Sequence, residues 1–189
     1  MNRTKWTLGM CAVVMIGLIV AMASDADAWA TITVNSLADP GKPGICALRD
    51  AITAANTQTA TNGCAAGNGH DTINFRVTGT IRLTDTLPRI TDAFLTINGP
   101  PSPGITISGA GKVPVIQVLF STLNLNNLTI SDGLNNGNCP ACGAEGQSGA
   151  GIGNLGGNLT ITSCTFSRNQ GVVGGAFETV PTAMGSDRW

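Results

Sequence analysis

The chain has no tyrosine and only one histidine, and of its 189 residues only 4% are aromatic and 11% charged. So few large side chains exclude a broad, aromatic-filled interior, and a thin core is expected. The formal net charge is −1 with no clustering of Lys and Arg, which removes the electrostatic case for nucleic acid or an anionic membrane surface as a partner. The single histidine, His70, has no partner at ligand spacing, so "CPAC" at residues 139 to 142 lacks the two further ligands that zinc needs. A thioredoxin-like redox pair needs a helix after the second cysteine, but "GAEGQSGAGIGNLGG" follows. Cys139 and Cys142 therefore read as a loop disulfide, and neither metal nor cofactor is expected.

The longest apolar run lies at the front. Arg3 and Lys5 precede an apolar stretch at residues 6 to 23, and small residues follow it. This is the layout of a secretory signal peptide over residues 1 to 28, with cleavage expected at Ala26-Asp27-Ala28; Ala28-Trp29-Ala30 and Ala21-Met22-Ala23 are alternatives. An uncleaved anchor fits less well, because Gly9, Gly17 and the small-residue tail interrupt it. Met10 stands before Cys11 where a lipoprotein signal needs a small residue, so no lipid anchor is expected. The reading is an exported chain, extracellular or at the outer-membrane surface, with no transmembrane segment after cleavage.

Export makes disulfides the default state of the five remaining cysteines, Cys46, Cys64, Cys139, Cys142 and Cys164. The preferred pair is Cys46 with Cys64, which closes a short loop and is worth roughly 3 kcal/mol in the chain-entropy model. Because five is odd, one thiol stays free or pairs outside the chain.

Glycine, at 25 residues, punctuates the rest. Three segments share one form: "FLTINGPPSPGITISGAG" from Phe94, "LNLNNLTISDG" from Leu123 and "NLTITSCTFSRNQG" from Asn158. Each alternates aliphatic and small polar residues, then stops at Gly or Asn. Leu123, Leu125, Leu128 and Ile130 correspond to Leu159, Ile161, Cys164 and Phe166, so the unit is a repeated pair of short strands. Further strands are expected at 31 to 34, 73 to 77, 80 to 83, 105 to 107 and 115 to 119. Short alternating strands with glycine corners suit an all-β, parallel β-helix, in which the inward side chains of one coil stack on the next. Asn98 and Asn127 suit turns with unusual backbone angles and hydrogen bonds to an equivalent residue one coil away. A β-sandwich built of hairpins is the runner-up, and the Gly-rich stretch from 133 to 157, read here as a long exposed loop, fits it poorly. Asn127 and Asn158 also begin N-x-T triplets, which carry no weight inside strands of this composition.

"CALRDAI" at residues 46 to 52, followed by Ala54, Ala55 and Asn56, resembles the CSLREA motif that opens a class of exported bacterial right-handed β-helix proteins, with Ala47 for the usual Ser and Asp50 for the usual Glu. "DTINF", "GTIRLTDTLPRI" and "LTINGP" are similar to the stretch that follows it in that family. The later "FSRN" at 166 to 169 and "GGAF" at 174 to 177 resemble the FxxN and GGA repeats of polymorphic outer-membrane proteins, which share the pectin-lyase-like fold. The resemblance covers residues 30 to 177. It implies a secreted or cell-surface β-helix, often an adhesin-like or structural passenger, and it implies no defined reaction.

Catalysis on such a scaffold needs paired carboxylates, or a calcium-binding carboxylate cluster with a base. Asp85 and Asp92, with Arg82 and Arg89, form the only local cluster of both signs and are the weak candidates for a sugar-binding groove; the plainer reading is solvated charge on a first coil. Asp132 before Gly133 reads as a turn residue and His70 as a surface histidine. The non-catalytic reading, with surface glycans or host-cell surface proteins as partners, is preferred; a polysaccharide lyase or glycoside hydrolase is the alternative. No long alternating strands follow the coils, which speaks against an autotransporter barrel within this chain.

The only clear helical period is in the motif itself. Leu48, Ala51, Ile52 and Ala55 form one apolar stripe, which suits a lid over the first coil. Cys46 to Cys64 would pin that lid, with Arg49 and Asp50 pairing beside it. The expected organisation is signal peptide 1 to 28, cap 29 to 70, coils 71 to 177 and an irregular tail 178 to 189. Because an open stack exposes strand edges, the chain is expected to be the front of a longer protein.

Overall fold

The computed structural model describes residues 29 to 137, 149 to 172 and 174 to 180, with main chain alone for 177 to 180. Its strands follow the period-two alternation. β1 (Ala30–Val34) precedes the single helix, α1 (Leu48–Thr57), and β2 (His70–Phe75) and β3 (Gly79–Arg82) follow it. β4 (Phe94–Asn98), β5 (Ile105–Ser108) and β6 (Ile116–Leu119) come next, then β7 (Thr122–Asn126), β8 (Leu128–Ser131), β9 (Leu134–Asn135) and β10 (Ile152–Leu155). The last group is β11 (Asn158–Thr162), β12 (Thr165–Ser167), β13 (Gln170–Gly171) and β14 (Phe177–Val180).

Every pairing between these strands is parallel. One sheet runs β1-β2-β4-β7-β11, a second β12-β8-β5-β3, a third β14-β10-β6, and β13 pairs with β9. The chain therefore visits the sheets in turn and returns to the first, as β4, β5, β6 and then β7, β8, β10 do. A parallel partner cannot follow through a tight turn, so the hairpin-built β-sandwich does not form among the described residues.

The inward positions make continuous ladders. Ile32, Ile73, Ile97, Leu125 and Ile161 are successive register partners, and the first four are fully buried. The sequence correspondences Leu123 with Leu159, Leu125 with Ile161 and Ile130 with Phe166 are structural register pairs. On the outer face, Asn126 Nδ2 donates to Asn98 Oδ1 at 2.8 Å and Asn98 Nδ2 to Asn74 Oδ1 at 3.2 Å, so each amide bonds the one below it. Asn127 has φ 53°, the left-handed region that asparagine tolerates.

Two expectations need correction. The stretch from 133 to 157 is not one exposed loop: β10 lies inside it, and residues 149 to 154 are buried. Its glycines serve close approach, not freedom. A Cβ on Gly151 would stand 2.2 Å from the carbonyl oxygen of Ala176, and one on Gly133 equally close to that of Ala150. Parallel strand pairing also runs past residue 177, where an irregular tail was expected, because the main chain of β14 pairs with β10 through Val180. Residues 1 to 28, 138 to 148 and 181 to 189, and with them the signal peptide, Cys139 and Cys142, lie outside the described residues.

Candidate functional site

The polar residues of the opening motif each have specific partners. A ten-residue helix is marginal alone, so packing must hold α1. Its stripe, Leu48, Ala51, Ile52 and Ala55, is at most 1% exposed and packs beside β1. The Cys46–Cys64 disulfide closes across the front of the helix, as expected. Arg49 Nε and Nη2 donate to Asp39 Oδ1 and Oδ2 at 2.7 and 2.9 Å, while Nη1 and Nη2 donate to the carbonyls of Thr86 and Asp85 at 2.6 and 2.7 Å. Thr84 N–H also donates to Asp39 Oδ2 at 2.8 Å. Burial alone would raise the Asp39 carboxyl, but the hydrogen bonds from Arg49 and Thr84 hold it below its ordinary value.

Asp50 takes a different direction. Its Oδ2 accepts from Gly41 N–H at 3.1 Å and its Oδ1 from Asn62 Nδ2 at 2.8 Å. At the far end of the helix, Asn56 Nδ2 donates to Arg89 O at 2.6 Å and Asn56 Oδ1 accepts from the N–H groups of Thr91 and Asp92 at 2.9 and 3.0 Å. Cys46, Arg49, Asp50 and Asn56 thus tie three separate loops to one helix. None of them is free to meet a substrate.

The cluster of both signs does not assemble. Asp85 is exposed and its Oδ1 accepts from the N–H of Thr86 at 2.7 Å, as a turn residue does. Arg82 is exposed in the second sheet, and Arg89 is half-buried beside Asn56. Asp92 is only 3% exposed, not solvated, and lies against Asp71, a residue the sequence reading did not propose for a site. Asp71 is fully buried and stands in register with Leu95, itself in register with Leu123, so it fills an inward position of an aliphatic ladder. Burial, then the Asp71 charge and its hydrogen-bonding contact, push the Asp92 carboxyl up to about 7. The signal was legible: "HDTINF" places Asp71 two residues before the inward Ile73.

A groove of about 520 Å³ lies along the second sheet, lined among others by Arg82, Ser108, Asp132, Leu134, Arg168 and Gln170. Register runs Arg82, Ser108, Ser131 and then Ser167, so Arg82 and Arg168 stand roughly 14 Å apart at the usual strand spacing. Asp132 has φ 52°, consistent with a turn residue, and it is also the hub of the groove. Arg168 Nε and Nη2 donate to its two oxygens at 2.6 and 3.1 Å, and Ser131 and Ser108 hydroxyls to its Oδ2 at 2.8 and 3.0 Å. Those bonds, Arg168 first, hold its carboxyl well below the usual range.

Asn169 stands three residues after Phe166. Its Oδ1 accepts from Gly133 N–H at 2.8 Å and its Nδ2 donates to Ile130 O at 3.0 Å, so the side chain reaches back to β8 and the turn after it. His70 is exposed, its ring 5.8 Å from each of the Trp29 and Phe94 rings. Cys164 is a free, half-buried thiol. Among the described residues there is no cluster of three metal-ligating side chains and no helix long and apolar enough to cross a membrane. No family model, no curated protein and no solved structure matches this chain.

Proposed function

We propose that the chain is an exported right-handed parallel β-helix that works without catalysis, as an adhesin-like or structural surface passenger, and that it takes an acidic glycan in the groove between Arg82 and Arg168. The parallel sheets visited in turn, the stacked Asn74, Asn98 and Asn126, and the backward reach of Asn169 support the β-helix. The resemblance to CSLREA-motif proteins is supported by a motif whose polar side chains all bind loops of the cap.

One observation carries the non-catalytic reading. Among the described residues Asp132 is the only carboxylate lining the groove, and a bidentate Arg168 contact with two serine hydroxyls keeps it ionised and occupied. A general acid must hold a proton near working pH, and a general base needs a free lone pair aimed at substrate. Arg82, exposed and with no side-chain partner among the described residues, and the outer face of Arg168 supply positive charge for carboxylates or sulfates on a sugar chain.

The enzymatic reading would have Asp85, Asp92, Arg82 and Arg89 act together. Their dispersal to a turn, a buried pair, the groove and the cap edge speaks against it. The test is retention of the purified chain on immobilised pectin and alginate, combined with viscometry of the same polymers. Salt-sensitive retention that is lost in the R82A/R168A double variant, at constant viscosity, is expected. Falling viscosity would transfer the function to a polysaccharide lyase or hydrolase.

A further inference from the structure

The Asp71 and Asp92 pair has no role in the groove, yet it breaks the pattern of the core. An aliphatic ladder position is filled by a carboxyl group that is fully buried, and a second carboxyl, 3% exposed, lies within hydrogen-bonding contact of it. Asp71 Oδ1 accepts from Asn68 N–H at 3.0 Å. On each residue Oδ2 meets no donor. Two carboxylates facing one another without a donor repel; with one proton between them, the same oxygens form a short, strong hydrogen bond.

The charged and titratable surroundings leave the pair to itself. From α1 come Asn56 and the nearby Gln58 amide, both uncharged, while Arg49 and Asp50 are engaged with Asp39 and with Gly41 and Asn62. His70 is next to Asp71 in β2 but faces outward against Trp29 and Phe94. On the segment before β4, the Arg89 carbonyl accepts from Asn56. From the turn before β7, the Ser121 hydroxyl donates to the Asp92 carbonyl. There is also no slack: a Cβ on Gly67 would stand 2.2 Å from Asp71 Oδ2.

We propose that Asp71 and Asp92 form a proton-sharing latch under the cap, closed while one proton is held between them and released when both ionise. Release acts where the pair is attached. The N–H groups of Thr91 and Asp92 bond Asn56 at the end of α1, and Asn68 N–H bonds Asp71. The front of the helix stays pinned by the disulfide and by Arg49 on Asp39. The cap therefore swings open at its Asn56 end about the pinned front. The sign follows from the raised Asp92 carboxyl: the closed state is fully favoured below the ordinary carboxylate range and is lost as pH rises through about 7.

The experiment uses the oxidised chain. Carboxyl ¹³C resonances of the aspartates are followed from about pH 4 to about pH 9, and amide exchange of Asn68, Thr91 and Asp92 is measured over the same range. One carboxyl of the pair should titrate near neutrality, and the opening constant of these amides should rise by up to about tenfold per pH unit between the ordinary carboxylate range and that midpoint and level off above it, after correction for intrinsic exchange. In Asp92→Asn, whose amide donates to Asp71 without a proton to lose, the opening constant should be flat. Both carboxyls titrating below about pH 5, or an Asp92→Asn slope equal to that of the wild type, would overturn the latch. If Asp92→Asn does not fold, the wild-type carboxyl titration decides alone.

Discussion

The first and last strands of the five-stranded parallel sheet, β1 and β11, are built from the same alternation and differ in what covers them. At the near end, Ile32 and Val34 are fully buried beneath α1. At the far end, Leu159, Ile161 and Phe166 occupy equivalent inward positions in register with buried Leu123, Leu125 and Ile130, yet they are only half-buried, and no described residue makes a helical lid over them. Among the described residues each end also carries one Arg–Asp pair. In Arg49–Asp39 the side chains are 18% and 1% exposed; in Arg168–Asp132 they are 69% and 28% exposed. Alternation builds ladders, and cysteine, arginine and asparagine at particular positions close one end of them.

The sharpest way to break this comparison is to remove the arginine of each pair. Arg49→Ala leaves the Asp39 carboxylate buried without its cation and is expected to cost about 4 kcal/mol in chemical denaturation. Arg168→Ala, on an exposed pair, should leave the unfolding midpoint unchanged and weaken only glycan retention. Equal losses at both ends would mean that the near end is not specially held.

Next in size is the staple. Replacing Cys46 and Cys64 by serine should lower stability by about 3 kcal/mol, the loop-closure value for a separation of 18 residues, measured against the oxidised chain. A smaller contrast comes from the ladder itself. Leu125→Ala should cost about 3 kcal/mol and its register partner Ile161→Ala about 1 kcal/mol, because less apolar surface is withdrawn from water at the far end. The smallest effect is titration of the near-end pair. The Asp39 carboxyl is lower in the folded chain, so its contribution is present above the ordinary carboxylate pKa and is lost as pH falls through the folded value. Arg49→Met should flatten that acid limb of a thermal-melting profile.

The strands legible in the sequence were those with clean alternation. Those expected at 31 to 34, 80 to 83 and 105 to 107 fall inside β1, overlap β3 and fall inside β5 respectively. The helix, its stripe and the disulfide were legible too, because a 3.6-residue period within a period-two chain stands out. β10 was hidden: Ile152 and Leu155 are separated by Gly153 and Asn154, and glycines that allow one coil to approach another look like loop glycines in a linear reading. The acidic pair was half legible. Asp92 was noticed for its local charges, but its partner lies two strands away in sequence and one strand away in space. Asp132 read as a turn residue, and its role as hub depends on Arg168, 36 residues later and one rung away.

The central claim is that the opening motif packs over β1, the first strand of the first sheet, whereas among the described residues no helix packs over β11. Native-state amide exchange measures this directly, by comparing the paired amides of β1 with those of β11 in a single sample. β1 should exchange only through global unfolding, with protection following denaturant stability, and β11 should exchange through local fraying at least about a hundredfold faster. Protection of β11 equal to or greater than that of β1 would contradict the account.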